Sequence, residues 1–366
     1  MLKPLMLLVV GAMLTACSST PTVQKTDVIH NYSDYVYRTY SKAHELALKL
    51  NADIKNFTKN PTAANLEIAK ESWKIARAPY GESEVFRFYN GPIDRDGGPE
   101  GLLNSWPLDE AYIDYVVGKS NSGIINNAKK YPKMTKDLLV SLNELDGEKN
   151  ISTGYHAIEF LLWGQDLDSN GPGNRPYTDY VEGKGKNAKR RAQYLNSVAD
   201  LLVEHLEGLK TEWAPDAKNF RAEFIAQDIN AALKNIFNGI VFMAGDELSG
   251  ERMFVAYETK GQEDEHSCFS DMTHMDIVWN FNGIENVLKQ TKFLELKEVK
   301  ESAVAKRVQE RLTKTRALLV SIPAPFDQAI LNEDSRKTIL ASVESLEALA
   351  KDLVELVALT GVKIDY

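Results

Sequence analysis

The chain has 366 residues, 43% hydrophobic and 26% charged, a composition that excludes a disordered, collagen-like or multi-span membrane protein. With 43 Lys plus Arg against 52 Asp plus Glu, the formal net charge of -9 argues against a partner built of phosphates, so no nucleic acid is expected. Its two cysteines, Cys17 and Cys268, can form neither a disulfide framework nor a thiolate zinc cluster, so any metal must be held by His and carboxylates.

Lys3 precedes the apolar run Leu5 to Leu14, too short to cross a hydrocarbon core of roughly 30 Å but suited to a signal peptide. Leu14-Thr15-Ala16-Cys17 resembles the bacterial lipobox, so residues 1–16 are expected to be cleaved and Cys17 to carry the lipid. Ser18 follows where an inner-membrane retention signal would place Asp, which points to an outer-membrane lipoprotein of a Gram-negative bacterium, periplasmic or surface-facing. Residues 17–29 then read as lipidated cysteine and polar tether. Cys268 is left without an intramolecular partner and is expected to be buried.

Ala43, Leu46, Ala47, Leu50, Ile54 and Phe57 recur at helical spacing and mark a first long helix. Asn60-Pro61 reads as the cap and first-turn proline of a second, with the stripe Leu66, Ala69, Trp73, Ala76 and Tyr80 and a kink or end at Pro79. Residues 90–107 hold three prolines and four glycines and read as a long loop. Helical patterns resume near 108–117, 134–145 and 153–163. The Gly, Asp and Asn content of 166–187 suggests a linker. Beyond it helices are expected at 195–209, 224–243 with Gly245 as C-cap, 271–288, 303–319 and 335–359. Without alternating strands and hairpin signals, the fold class is all-α, as two helical bundles over 30–165 and 188–366.

The segment Gly154-Tyr155-His156-Ala157-Ile158-Glu159-Phe160-Leu161-Leu162-Trp163 is apolar around nearly its whole circumference, apart from His156 and Glu159. Three residues apart on a helix, these two share a face. A buried carboxylate needs a cation, a hydrogen-bonding partner or a proton, so the pair is either a satisfied core contact or two ligands of a transition metal. Asp271 and His274 repeat the i, i+3 step in the second half and could face the pair to complete four ligands; a first-turn Asp serving the helix dipole is the alternative. His266 follows Glu263-Asp264-Glu265 and reads first as part of a solvated acidic loop, with a site-lining role as the rival. Trp73, Arg77 and Glu84 fall along one helical stripe, where Arg77 could orient Glu159 or Glu84. Asp166, Asp168, Asn170 and Gly171 copy the opening of a calcium loop, but Tyr177 stands at position twelve where a bidentate Glu belongs, which argues against calcium.

Gly154-Tyr155-His156-Ala157-Ile158-Glu159 resembles the G-x-H-x-x-E motif of the imelysin-like family. Trp73, Arg77, Pro79, Tyr80, Ser83 and Glu84, followed by Asn90-Gly91-Pro92-Ile93-Asp94, are similar to that family's first block, and the run Glu263 to His274 to the second-half block of its iron-regulated branch. The resemblance implies two helical-bundle domains facing each other with the site between them. It implies iron, alternatively zinc, as the metal, taken as an ion or a chelate, with a partner protein in iron uptake. It also raises metal-dependent peptidase activity as a rival to binding, and a receptor or scaffold without metal as a third reading.

The Cys17→Ser protein should move from membrane to soluble fractions and stay folded, because acyl chains contribute about 0.8 kcal/mol per buried methylene. Unchanged membrane partition on fractionation would refute the lipid anchor.

Overall fold

A computed structural model describes residues 22–168 and 171–366. The expected signal peptide and the lipid site Cys17 lie outside the described residues. Among those described there is no strand, only an isolated bridge between Val116 and Lys119, and the fold is all-α. No described helix is long and apolar enough to cross a membrane.

The long helices are α1 (Lys25–Lys59), α2 (Ala63–Ser83), α3 (Gly154–Trp163), α4 (Ala188–Glu212), α5 (Ile229–Phe242), α6 (Thr273–Thr291), α7 (Ala303–Val320) and α8 (Glu333–Ala358). Between α5 and the short helix Val255–Thr259 the chain winds as a π-helix over Met243–Phe254. Amphipathic stripes decide the packing: α1 buries Val36, Tyr40, Ala43, Ala47, Leu50, Ile54 and Phe57 against α2 and α4, while α8 buries Leu346, Leu349, Leu353 and Leu356 where it meets α7, α5 and the π-helical segment. The two groups join where α2 packs on α6 and where α1 reaches α6 and α5.

Several local expectations are corrected. Helix α1 begins at Lys25, inside the stretch read as tether, and the Asp27 carboxylate accepts from the Gln24 amide there. The cap of α2 is Thr62, whose hydroxyl accepts from the amide of Asn65 at 3.2 Å, in place of Asn60. Pro79 does not end α2, because Tyr80, Gly81 and Ser83 beyond it are buried and the Gly81 carbonyl accepts from Asn280 of α6. The long loop contains a helical turn at Glu100–Leu103, and the next two helices shrink to Glu110–Ile113 and Lys136–Leu142. Gly245 lies inside the π-helical segment and caps nothing. Helix α4, which follows the stretch 166–187, packs on α1 and α3.

One close approach fixes how α5 meets the end of α2. A Cβ on Gly239 would stand 2.0 Å from the carbonyl oxygen of Val85, so only hydrogen fits. Gly239→Ala should therefore cost about 3 kcal/mol or more in urea denaturation, at the upper end for overpacking; an unchanged midpoint would show that the turn at Val85 gives way freely.

Candidate metal centre

Helix α3 is buried along its whole length. Its entry depends on Gly154, where φ is +84° and a Cβ would sit 2.6 Å from the Leu103 carbonyl oxygen. That turn drives His156 and Glu159 into the interior, at 1% and 0% exposure. His156 Nδ1 and Glu159 Oε2 lie 2.9 Å apart, and Glu159 Oε1 accepts from the amide (2.9 Å) and hydroxyl (2.7 Å) of Ser270. His156 Nε2 is buried without a partner.

Facing α3 is the segment just before α6. His266, at 2% exposure, is no part of a solvated loop: its ring stands 4.7 Å from that of His156, centroid to centroid. His266 Nδ1 lies 2.9 Å from Asp276 Oδ2, which also accepts from the Ser267 hydroxyl. The chain turns inward there because Ser267 and Thr273 bond to each other and the polar neighbours of His266 are buried with it. Trp106 packs edge-on to His266 at 5.6 Å. Both imidazoles are therefore each held at Nδ1 by a carboxylate, the arrangement that orients histidine ligands in metal sites.

Beneath them lies a network of buried charge. Arg77 Nε donates to Asp276 Oδ1 at 3.1 Å, its Nη1 donates to Asn104, and its Nη2 lies 3.2 Å from His266 Nδ1. Its guanidinium also stands over the rings of Tyr155 and Tyr80 at 5.2 and 5.5 Å. Glu84 pairs with Arg252 and accepts from Asn104 and Asn280 at 3.1 Å. Glu247 pairs with Arg252 at 2.8 Å and with Arg87 at 3.4 Å. Glu247 and Arg252 are five residues apart, a spacing that faces opposite sides of an α-helix but comes round to one side on the wider π-turn.

Electrostatics follow from this layout. Burial pushes the Glu84 carboxyl up, but Arg252 and Arg77 more than offset it and hold the group at about 2. The guanidiniums of Arg77, Arg87 and Arg252 are matched by Glu84, Glu247 and Asp276, which leaves Glu159 with no cation of its own. Burial lifts Glu159 to about 8 against the Ser270 hydrogen bonds. Burial, then His266 and Arg77, lowers His156 well below the usual imidazole range, and burial with Arg252 and Arg77 does the same to His266. At neutral pH both rings are uncharged and Glu159 holds a proton.

Of the residues singled out in the sequence, Arg77, Glu84, His156, Glu159 and His266 meet here. Trp73 supports α3 by donating its indole N–H to the Tyr155 carbonyl at 3.0 Å. Arg77 orients Asp276 and not Glu159. Asp271 and His274 are not brought to the pair: no hydrogen bond or ion pair links them to His156 or Glu159, and Ser270 occupies Glu159 instead. Asp271 lies before the helix cap at φ +57°, where burial and the neighbouring Asp166, Asp327 and Asp168 push it up to about 7. His274 is half-buried with Nδ1 unpartnered. Among the described residues, no three His, Cys, Asp or Glu side chains group to hold a metal. Cys268 is buried and free. Asp276, Arg252, Asn104 and Asn280 belong to no motif in the sequence; a polar residue within an apolar helical stripe, as at Asp276 and Asn280, is the available signal.

Residues 36–353 match the sequence profile described as Imelysin (Peptidase_M75), so the class is set: this chain belongs to the imelysin family. It is 22% identical to iron-regulated protein A of Synechococcus elongatus, with 94% of this chain and 89% of the relative aligned. An iron-regulated protein A precursor from Parabacteroides distasonis shares the fold at a TM-score of 0.69 and 16% identity, covering 92% of this chain and 96% of the other. An imelysin-like protein from Psychrobacter arcticum does so at 0.69 and 15%, covering 93% and 96%.

In protein freed of metal by chelator, Glu159→Gln should become progressively more stable relative to wild type as pH rises from about 4.5 to about 8, then level off. The raised folded value means that wild type has its full contribution below 4.5 and loses it as the unfolded chain ionises while the folded one holds its proton. Urea denaturation across that range checks it; a flat difference would show that Glu159 is ionised when folded.

Proposed function

We propose that this protein is an extracytoplasmic, lipid-anchored iron-handling protein that binds a transition metal at its buried imidazole pair. The observation that carries this reading is His156 Nε2, a buried polar atom with no partner, on a ring whose Nδ1 is held by Glu159. His266, oriented by Asp276, is the neighbouring imidazole. Neutral imidazoles suit iron or zinc, and Glu159 is better placed to orient His156 than to ligate, since both its oxygens are engaged. Two imidazoles leave the remaining positions on the ion to small ligands such as water, which fits a cargo that must later be released. The name of the Synechococcus relative supports an iron-related role.

The residues also predict a proton count. With Glu159 protonated, its hydroxyl donates to His156 Nδ1 and the imidazole proton sits on Nε2. Ligation through Nε2 requires His156 to carry its proton on Nδ1 and donate it to an ionised Glu159, so one proton leaves the pair. Peptide cleavage is less well supported, because His156 and Glu159 at 1% and 0% exposure offer no surface to a polypeptide.

At free iron 100 times the dissociation constant, binding to the folded form should add about 2.7 kcal/mol of stability. Calorimetry in buffers of different ionisation enthalpy should show release of a proton, and His156→Ala should lose both effects. A melting temperature indifferent to iron and zinc, or equally responsive in His156→Ala, would sink the site. Metal-stimulated cleavage of an unfolded substrate, lost in Glu159→Gln but not in a surface variant, would favour the peptidase.

A further inference from the structure

A group of carboxylates remains that the imidazole pair does not use. Asp166 follows helix α3, Glu265 and Asp271 bracket the run His266 to Ser270, and Asp327 sits in the short helix Phe326–Ala329 before α8. Gln262 joins two of these stretches by donating from its side-chain amide to Asp166. Glu265, Asp166 and Asp327 are buried, at 1%, 8% and 6% exposure, and Asp271 is half-buried. They lie close enough that Asp327, Asp271 and Asp166 all act on the Glu265 carboxyl, and Asp166 and Asp327 on that of Asp271.

No Lys or Arg is among the charges acting on Glu265, Asp271 or Asp166. The Arg77 network differs in this respect, since each of its acids meets a guanidinium. Hydrogen bonds satisfy two of the four. Asp327 accepts from the amide and the side chain of Gln328 at 2.7 and 2.8 Å, and Asp166 accepts from the Asp168 amide at 3.2 Å and from Gln262. Glu265 Oε1, by contrast, is buried with no partner. A buried carboxylate oxygen that accepts nothing, set among like charges, calls for a cation. Asp166 also opens the stretch whose spacing copies a calcium loop without its Glu at position twelve, and Glu265 brings a carboxylate within electrostatic reach of it from another part of the chain.

We propose that Glu265, Asp271, Asp166 and Asp327 bind a hard divalent cation, calcium or magnesium, that keeps part of its water shell. Among the described residues no three carboxylates converge to chelate a bare ion, but such an ion can be held by one or two carboxylates with water in its other positions. The direct contacts fall to Glu265 Oε1 and to Asp271, whose carboxylate accepts no hydrogen bond, while Asp166 and Asp327 balance charge through water. The site is distinct from the imidazole pair and does not rest on metal binding there. Because Glu265 and Asp271 bracket His266 to Ser270, an ion between them ties the two ends of that run together.

Calorimetric titration of chelator-treated protein with calcium and with magnesium at neutral pH, with melting temperatures in parallel, tests this. One ion per chain should bind saturably and raise the melting temperature, whereas sodium at equal ionic strength should not; the tighter of the two divalent ions identifies the occupant. Asp271→Asn should weaken binding about tenfold or more. It leaves the backbone at ease, because Asn tolerates the positive φ at that position. Glu265→Gln, which keeps the shape of the side chain, should weaken binding likewise, and His156→Ala should bind as wild type does. A melting temperature unmoved by millimolar calcium and magnesium, a response matched by sodium, wild-type affinity in both Asp271→Asn and Glu265→Gln, or loss of binding in a folded His156→Ala protein would overturn the proposal.

Discussion

The constraint on which the rest depends is the buried ion-pair network between α2, α6 and the π-helical segment. Arg77 and Glu84, both fully buried, cannot stand alone in an interior of low dielectric, where an isolated charge costs several kcal/mol. They are tolerated because Asp276, Arg252, Asn104 and Asn280 satisfy them from other elements. Each of those partners must therefore arrive in register, so α2 and α6 are fixed by hydrogen-bond geometry as well as by apolar contact. The same Asp276 that answers Arg77 also holds His266, so the position of one imidazole is set by the network. Burial raises the Glu159 carboxyl, which has no cation of its own because the guanidiniums are matched by other acids, and it stays paired with His156.

The fold was largely legible in the sequence because burying one face of a helix imposes a 3.6-residue period, and stripes such as Leu346, Leu349, Leu353 and Leu356 carry it openly. The His156 and Glu159 pair was legible for the converse reason, as two polar residues in a segment with no solvent face. What escaped depended on tertiary context. Arg252 and Glu247 share a side only on a π-turn, and no α-periodic template places them together. His266 sits next to three acids that advertise solvent, yet the local turn built by Ser267 and Thr273 points it inward. Asp271 and His274 have the spacing of ligands, but Asp271 precedes the helix, so the i, i+3 rule does not apply. The composition of 166–187 carries no information on where α4 packs, which is decided by its apolar stripe against α1 and α3.

The segment from His266 to Ser270 has two duties that bear on metal exchange. It supplies the second imidazole, and it also covers the first, since Ser270 clamps Glu159 through both its amide and its hydroxyl. The cover is tied down by the Gly173 amide, which donates to the Phe269 carbonyl at 2.9 Å. Exposing His156 Nε2 therefore means lifting the element that carries His266. In the binding reading, release requires breaking the two Ser270 hydrogen bonds together with the Gly173 and Asp276 contacts that hold the segment in place. A peptidase places the opposite demand on such a site, because its metal must stay fully held while a long substrate enters and leaves.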